Sequence, residues 1–377
     1  MNNHFEYRIP ILSFYSGGGF MDMGFEKAGF VIVWTNEVDE VFAKLHEAGI
    51  TSWRKARGNG IKGEIFNKKS ITDVSAEKIL EEAFPEGKPE DFGIIGGPPC
   101  QDFTSNGNME GFNGERGKLT VVFFDRILEL LPTFFVMENV TGLTKSKSSK
   151  EHLEKLLKRV EKEYFVDHKT LNSLDFGVPQ FRERVFFIGI RKDKLDENIV
   201  NKSLGEWFNF PVNKKYNGAA SKYKWATAVP FGKKLTKPSD LPIELCVEKC
   251  LVPFKQMNKI PNANEYFNLY VQENELKKIR EGETNRPSFK RLHRFKYSPT
   301  ACYGNNEVHL HPYRNRRLSV RETLRIQGVE DSYILPPELS LSKKFKMIGN
   351  GVPVPLAEAV ANAVKDFIIQ NNIIQIT

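Results

Sequence analysis

Gly96-Gly97-Pro98-Pro99-Cys100-Gln101 follows the apolar run Phe92-Gly93-Ile94-Ile95, and the rest of the chain is organised around this stretch. The pattern predicts a buried strand that ends in a rigid turn and presents one cysteine. Two consecutive prolines fix two backbone φ angles and remove two N–H donors, so the next residue is held in a non-helical geometry. The carboxyl ends of strands are where open α/β sheets bind their ligands.

Cys100 has two alternative roles. Cysteine is among the most buried residue types and usually packs as a small hydrophobe. The segment after Cys100 is polar, however, and residues 101–118 contain four glycines and no apolar period, which predicts a long loop of the kind that is usually functional or disordered. Because these residues do not continue a core strand, we favour a nucleophile over a packing role.

A second strand-and-turn pattern lies near the start of the chain. Ile9–Tyr15 predicts a buried strand that leads through Ser16-Gly17-Gly18-Gly19 into a helix ending at Ala28. Glycines allow close backbone approach to a ligand, and a helix N-terminus offers free N–H groups to negative charge. Asp22 stands where the dinucleotide fingerprint Gly-x-Gly-x-x-Gly needs glycine, so a nicotinamide or flavin cofactor is disfavoured.

Three further strands are predicted to end on acidic residues. Phe30–Asn36 is followed by Glu37 and a helix through Ala48, and residues 49–68 are predicted to be irregular. At such a strand end a carboxylate either binds a ribose diol or stabilises the next helix, and the residues leave these two roles of Glu37 equal. The other two strands are Ser70–Val74, which carries Asp73, and Thr133–Met137, which precedes Glu138 and follows a helix over Leu119–Leu131.

A pair of arginines lies between the last two predicted strands, Phe165–Leu171 and Val185–Ile190. The connecting run is Gln180-Phe181-Arg182-Glu183-Arg184. Alternate residues of an extended segment point to the same side, so both guanidinium groups are predicted to share one face.

Size and composition set the class of protein. At 377 residues and 43.2 kDa, two domains are expected. No apolar run approaches the roughly 18 residues of a membrane span, and no secretory leader is recognisable, so we expect a cytoplasmic protein. Four scattered cysteines do not suggest a disulfide framework, and Cys246 and Cys250 lack further ligands for zinc and are expected to pack.

Positive charge is concentrated in one block. Residues 191–317 hold 25 Lys and Arg against 13 Asp and Glu, whereas the rest of the chain is slightly acidic. Aromatic residues are interleaved with the charges, as nucleic-acid contacts often require. The block therefore predicts a surface that docks a polyanion.

The regular alternation of strands and helices stops after residue 190. We expect residues 1–190 to form one domain, residues 191–342 a second domain, and residues 343–377 a C-terminal segment. The last segment contains the turn Gly349-Asn350-Gly351, which is typical of a ligand-contacting turn, and then a helix with an apolar stripe.

Taken together, these motifs resemble the DNA cytosine-5 methyltransferases over nearly the whole chain. Each short motif is a weak signal, but the ordered set is highly specific. The motifs are Tyr15-Ser16-Gly17-Gly18-Gly19, Asn36-Glu37, Gly97-Pro98-Pro99-Cys100-Gln101, Arg116-Gly117-Lys118-Leu119, Glu138-Asn139-Val140, Gln180 through Arg184, Arg317-Leu318-Ser319-Val320-Arg321-Glu322 and Gly349-Asn350-Gly351-Val352.

The resemblance implies an α/β fold, with a Rossmann-like sheet that binds S-adenosylmethionine, helices on both of its faces, and a smaller irregular target-recognition domain. Tyr15 would stack on the cofactor, Glu37 would hold its ribose and Asp73 its adenine, and no metal is implied. The implied cofactor-binding residues are Tyr15, Ser16, Gly17, Gly18, Gly19, Glu37, Val38, Asp73, Gly97, Pro99, Leu119, Asn350 and Val352.

The resemblance also implies a covalent mechanism, with Cys100, Glu138, Arg182 and Arg184 as catalytic residues. Carbon C5 of cytosine is a poor nucleophile. Addition of the Cys100 thiolate at C6 would turn the ring into an enamine, in which C5 is nucleophilic. Glu138 would act on N3 and Arg184 would hold O2. The target base must leave the duplex to be reached, and residues 101–118 are the candidate loop that closes over it.

Three positions depart from the family pattern. Phe20 replaces a glycine common in the first motif, and Val38 stands where an aromatic ring often covers the adenine. Both departures concern cofactor packing. Asp102 replaces a proline or small residue in the loop, and none of the three removes a catalytic group.

The sequence predicts a sequence-specific DNA methyltransferase that acts on double-stranded DNA. It is expected to be a monomer, to belong to a restriction-modification system with a separately encoded endonuclease, and to associate with the nucleoid if the source is bacterial. The alternatives are a tRNA cytosine-5 methyltransferase, a non-catalytic nucleic-acid-binding paralogue and a nicotinamide oxidoreductase. The basic block favours DNA over tRNA, and the presence of Cys100, Glu138 and Arg184 disfavours a non-catalytic protein.

Overall fold

The computed structural model describes residues 9–58, 64–99, 115–145, 147–201, 206–300, 303 and 308–374. Its centre is a seven-stranded sheet in the order β3-β2-β1-β4-β5-β7-β6, in which β7 runs antiparallel to both of its neighbours and the others are parallel. The strands are β1 (Pro10–Phe14), β2 (Val31–Asn36), β3 (Ile65–Asn67), β4 (Gly93–Gly96), β5 (Phe134–Asn139), β6 (Tyr164–Asn172) and β7 (Glu183–Arg191).

Helices connect the parallel strands and cover both faces of the sheet. Those that precede or follow the seven strands are α1 (Phe20–Lys27), α2 (Glu40–Ala56), α3 (Ala76–Ala83), α4 (Glu115–Leu130), α5 (Gly142–Lys145), α6 (Lys147–Val160), α11 (Leu341–Asn350) and α12 (Val354–Gln370). Residues 192–340 contribute α7 (Glu197–Asn201), α8 (Ala219–Lys222), α9 (Glu273–Lys278) and α10 (Val320–Ile326), together with the two-residue strands β8 (Lys290–Arg291) and β9 (His309–Leu310).

Alternation along the strands explains the two apolar layers. In β1, Ile11 packs with α1 and α12 on one face, whereas the next residue, Leu12, packs with α4 and α6 on the other. In β5, Val136 and Met137 divide between the same two layers. Successive strand residues point to opposite faces, so a strand covered on both sides reads as a continuous apolar run. The predicted α/β sheet is confirmed.

The third predicted strand is wrong. The strand is Ile65–Asn67, and Ser70–Val74 instead contains a 3-10 turn over Ile71–Asp73. Short polar side chains bond locally there, since Ser70 Oγ lies 2.7 Å from Thr72 Oγ1, and such bonds compete with a sheet ladder. Asp73 is exposed in this turn and does not end a strand.

Helix α2 is longer than predicted, because it continues through Gly49 to Ala56 instead of ending near Ala48. The glycine is needed for packing: a Cβ added to Gly49 would lie 2.1 Å from Cζ of Tyr333. The ring of Tyr333 fills that space, so the glycine marks a close approach rather than a helix end.

The loop predicted for residues 101–118 lies outside the described residues as far as 114. Its last four residues are helical, because α4 begins at Glu115 rather than at Leu119. Before Pro132, the helix ends at Leu130, close to the predicted end. Within the described part of the chain, no helix is both long and apolar enough to cross a bilayer.

The region after β7 is irregular, and its first part packs against α12, which covers one face of the sheet. Trp207 and Phe208 pack against Phe367 of α12, with ring centroids 5.4 and 5.3 Å apart. Further along, short segments are held by small apolar clusters and by buried arginines. Cys246 and Cys250 are buried in these clusters, in agreement with their predicted packing role.

Candidate active site

The carboxyl ends of β4 and β5 meet at the start of the site. A Cβ on Gly97 would lie 3.1 Å from Oε2 of Glu138, so the glycine permits that carboxyl group to approach the turn. Asn139 Nδ2 donates to the Pro98 carbonyl oxygen at 3.3 Å. The last two residues of β5 therefore contact the turn that leads into Cys100. Cys100 itself and Asp102 lie outside the described residues.

Glu138 is buried and faces cationic groups. Arg184 Nε lies 2.8 Å from Glu138 Oε1, and both side chains are largely shielded from solvent. Burial raises the pKa of Glu138, while the charges of Arg184 and Arg182 oppose that rise. The structure thus brings Glu138 and Arg184 together, with Arg182 close enough to act on the carboxyl electrostatically.

Arg182 reaches a second part of the site. Its fully buried guanidinium donates through Nη2 to the carbonyl oxygens of Gly349 at 2.8 Å and Asn350 at 3.4 Å. It therefore fastens the C-terminal end of α11 beside the arginine pair. Asn350 is exposed at this end, and Val352 just beyond it is buried.

The glycine turn after β1 is bonded to the end of β2. Gly17 N donates to Glu37 Oε2 at 3.0 Å, and Asp39 N donates to Glu37 Oε1 at 2.8 Å. Gly17 has a φ of 56°, which favours glycine. Asp39, rather than Glu37, caps α2 by accepting from Val41 N and Phe42 N. This assigns the helix-stabilising role to Asp39 and leaves Glu37 beside the turn.

Two opposing effects act on the pKa of the Glu37 carboxyl group. Burial raises its pKa, and the backbone N–H donors of Asp39 and Gly17 lower it in part. Each oxygen accepts one backbone hydrogen bond, so each retains acceptor capacity for a hydroxyl.

Tyr15 is anchored across the site to α4. Its hydroxyl donates to the Leu119 carbonyl oxygen at 2.9 Å, and its φ is 54°, in the left-handed region. Burial raises its pKa, so the hydroxyl stays protonated and the bond persists at neutral pH. The first and fourth sequence motifs are therefore joined by this bond.

The glycine turn is supported by residues from distant parts of the chain. Tyr333 donates its hydroxyl to the Gly18 carbonyl oxygen at 2.7 Å. A Cβ on Gly351 would lie 2.3 Å from Cδ2 of Phe20, so the departure at Phe20 fits a glycine on the facing segment. The position of Tyr333, more than 300 residues from Gly18, gives no sequence signal for this contact.

A buried acid lies under the same turn. Ser13 Oγ donates to Asp22 Oδ1 at 2.6 Å, and His46 Nε2 lies 3.6 Å from Asp22 Oδ2. Burial, with Glu64 and Glu26 nearby, raises the pKa of Asp22 to about 8, while burial lowers that of His46 to about 4. Both side chains are therefore neutral near pH 7.

The free energy of unfolding of Asp22→Asn is expected to increase relative to that of the wild type as pH rises. A carboxyl whose pKa is raised on folding contributes stability at low pH, and this contribution is lost as pH rises from about 4 towards 8. Asparagine cannot ionise and keeps an oxygen for Ser13. Urea unfolding at pH 5 and pH 8 should show the difference in unfolding free energy growing by about 3 to 4 kcal/mol. Parallel pH profiles for the two proteins would contradict this assignment.

Among the described residues, no group of three or more His, Cys, Asp or Glu side chains could hold a metal ion. Two predicted cofactor residues, Val38 and Asp73, lie on the surface near the ends of β2 and β3, and Val38 is 57% exposed. Of the remaining described ones, Leu119 lies on α4, Asn350 and Val352 lie at the end of α11 and just beyond it, and the others follow the ends of β1, β2 and β4.

The chain matches known proteins along most of its length. Residues 9–366 match the family model described as C-5 cytosine-specific DNA methylase. Type II methyltransferase M.NmeDI of Neisseria meningitidis serogroup C is 36% identical over 365 residues, covering 95% of this chain and 84% of that protein. Type II methyltransferase M.FnuDI of Fusobacterium nucleatum is 31% identical over 371 residues, covering 95% of this chain and 94% of that protein.

A solved structure has the same fold. The crystal structure of the S. pombe Dnmt2 methyltransferase superposes with a TM-score of 0.60 at 16% identity, covering 97% of this chain and all of that one. At this level of identity, the likeness concerns the fold alone.

Proposed function

The chain belongs to the C-5 cytosine-specific DNA methylase family, and we propose that it methylates C5 of a flipped-out cytosine in duplex DNA through a covalent bond between Cys100 and C6. The protein is a DNA (cytosine-5-)-methyltransferase and uses S-adenosylmethionine. The observation that carries the proposed mechanism is the buried Glu138, which lies against Gly97 and Arg184 beside the turn that leads into Cys100.

The cofactor-binding edge fits S-adenosylmethionine. Ser16 Oγ is buried and has no hydrogen-bond partner among the described residues, as expected for a group that meets a ligand. Glu37 offers two partly engaged carboxylate oxygens to a ribose diol, and Val38 offers an uncovered apolar surface to the adenine. We propose the same pocket residues that the family resemblance implies, with Asp73 reaching the adenine from a turn.

When bound, S-adenosylmethionine supplies an electrophilic methyl group. The Cys100 sulfur forms a bond to C6, and the electron pair of the C5–C6 double bond becomes available at C5 as an enamine. Glu138 donates a proton to N3, which neutralises the charge that the ring gains. C5 takes the methyl group, with S-adenosylhomocysteine as the leaving group. The C5 proton then passes to water, the Cys100 thiolate leaves C6, and the N3 proton returns to Glu138.

The two arginines divide the supporting work. Arg184 contacts Glu138 and is positioned to donate to O2 of the base, which stabilises the developing charge. Arg182 raises the local positive potential and holds the carbonyl groups of Gly349 and Asn350. We therefore assign Arg184 a catalytic role and Arg182 a positioning role within the same set.

Glu37→Ala is expected to weaken S-adenosylmethionine binding about tenfold or more, because charge-assisted hydrogen bonds to the ribose would be lost. Isothermal titration calorimetry with the purified protein measures this change. Glu40→Ala is the matched control, since Glu40 is an exposed acid in the first turn of α2. Equal dissociation constants for the two variants would show that Glu37 does not bind the cofactor.

The reaction is tested with S-adenosylmethionine carrying a labelled methyl group. Duplex genomic DNA, unmodified tRNA and buffer are incubated with the wild type and with Cys100→Ala. The proposal predicts labelled 5-methylcytosine in duplex DNA with the wild type only. Incorporation into tRNA but not DNA would favour the tRNA enzyme, and equal incorporation by both proteins would refute the mechanism.

The proposal also covers the domain boundaries, the biological setting and the oligomeric state. We propose that residues 1–190 form the catalytic domain, residues 191–342 the target-recognition domain, and residues 343–377 the segment that returns to the sheet. The names of the Type II relatives support a place in a restriction-modification system with a separately encoded endonuclease. A monomer acting on cytoplasmic, nucleoid-associated DNA is the arrangement that we expect.

A further inference from the structure

Most arginines of the basic block, residues 191–317, form hydrogen bonds or ion pairs within the protein. Arg291 is fully buried and donates to four backbone carbonyl oxygens and one side-chain oxygen. Arg294 pairs with the buried Glu281, and Arg316 pairs with the buried Glu322 at 2.7 Å. These guanidinium groups stabilise an irregular segment, and their charge is not available to a polyanion.

Arg317 is different from the other arginines of residues 191–342. It is half-buried, and among the described residues its guanidinium has neither a hydrogen-bond acceptor nor a carboxylate. Its Cζ lies 4.7 Å from the ring centroid of Phe267, which in turn stacks on Phe345 of α11 at 5.4 Å. The ring holds the cation in one place without neutralising it.

Burial without a counter-ion is costly for a cation. Desolvation lowers the pKa of Arg317 and is the one influence on that pKa, since no acidic group opposes it. Natural proteins seldom leave such a charge without a partner unless an external anion completes the site.

The neighbouring surface is also basic and aromatic. Arg314, three residues earlier, lies over Phe254, a ring that is 76% exposed, and its Nη1 contacts the sulfur of Met257. The acids in contact with this segment face cations of their own. Glu322 pairs with Arg316, and Glu273 pairs with Lys277 at 2.9 Å. Glu248 accepts from the Tyr313 hydroxyl and faces Arg294 and Arg314. The local field therefore favours an anion.

We propose that Arg317 binds a backbone phosphate of the DNA substrate. This inference rests on the proposed function, because it identifies one contact of the same enzyme with duplex DNA. Planar guanidinium groups suit phosphate oxygens, and a phosphate contact positions the duplex without reading its sequence. Arg317 thereby acts as a docking residue for the recognition region.

The test is the salt dependence of duplex binding by Arg317→Gln. Neutralising one phosphate contributes about −0.9 to the slope of log K against log salt for duplex DNA. The variant should lose about 0.9 from the wild-type slope, so its affinity deficit shrinks about 3.5-fold between 50 and 200 mM salt. Arg317→Lys keeps the charge and should retain the slope.

Arg286→Gln is the matched control, because Arg286 already pairs with Glu283 at 2.5 Å and its removal should leave the slope near the wild-type value. Thermal unfolding of Arg317→Gln should occur at or above the wild-type temperature, since an unpaired half-buried charge is removed. An unchanged slope for Arg317→Gln, or a slope lost equally in Arg286→Gln, would overturn the proposal. Failure of the wild type to bind duplex DNA would instead refute the proposed function.

Discussion

Replacing Cys100 with alanine is expected to reduce methyl transfer at least about 10³-fold, because the attacking sulfur is lost and C5 is not activated by any other group. Binding of duplex DNA and of S-adenosylmethionine should persist, since alanine removes only one sulfur and the bond from Asn139 to the Pro98 carbonyl oxygen is unaffected. Methyl incorporation under single-turnover conditions, measured beside DNA affinity, separates loss of chemistry from loss of binding.

Cys246→Ala provides the control for this experiment. Cys246 is buried, and burial raises its pKa to about 12, so its thiolate is scarcely populated at neutral pH. Its replacement should leave turnover near the wild-type rate. Substantial methylation by Cys100→Ala would contradict the covalent mechanism. Loss of turnover in Cys246→Ala alone would show that Cys246, and not Cys100, is the nucleophile.

Replacing Glu138 with glutamine is expected to lower the rate of methyl transfer by about 10²- to 10⁴-fold, the usual effect of losing a general acid. Glutamine keeps the shape beside Gly97 and an oxygen towards Arg184 but cannot deliver a proton to N3. The change should appear in the single-turnover rate, with little change in cofactor affinity.

The pH profile provides an independent test of Glu138. Burial raises its pKa, which favours the protonated acid. Because the proposed role needs that proton, the wild-type rate should fall as pH rises through the pKa of Glu138. Glu138→Gln should lack this limb, and a variant with the same descending limb would exclude Glu138 as the acid.

The sheet and the strand-end positions could be predicted from the sequence for a physical reason. Strands β1, β2, β4 and β5 are covered on both faces, so each is a mostly apolar run that polar or glycine residues end. The carboxyl ends of parallel strands share one edge of the sheet, so the sequence alone predicts that Glu37, Gly97 and Glu138 lie at that edge. The prediction of a strand at Ser70–Val74 was wrong because the side chains of Ser70, Thr72 and Asp73 form hydrogen bonds with one another.

The supporting contacts could not be predicted because they join distant parts of the chain. Gly49 was expected to end a helix, and only the ring of Tyr333 explains why the helix continues through it. The burial of Asp22 beside His46 depends on how α1 packs on α2. Charge counting also overstated the free positive surface, because ion pairs such as that of Arg294 with Glu281 depend on tertiary structure.

The central claim is the covalent bond between Cys100 and C6, and DNA in which every cytosine carries fluorine at C5 tests it most directly. Loss of the C5 proton is the step that releases the enzyme, and fluorine cannot leave as a cation, so the adduct should persist after methyl transfer. The protein is incubated with this duplex and S-adenosylmethionine, digested with nuclease and trypsin, and analysed by mass spectrometry. The account predicts a methylated fluorocytosine nucleotide on the peptide that contains Cys100. An unmodified Cys100 peptide, from a preparation that methylates ordinary duplex DNA, would contradict it.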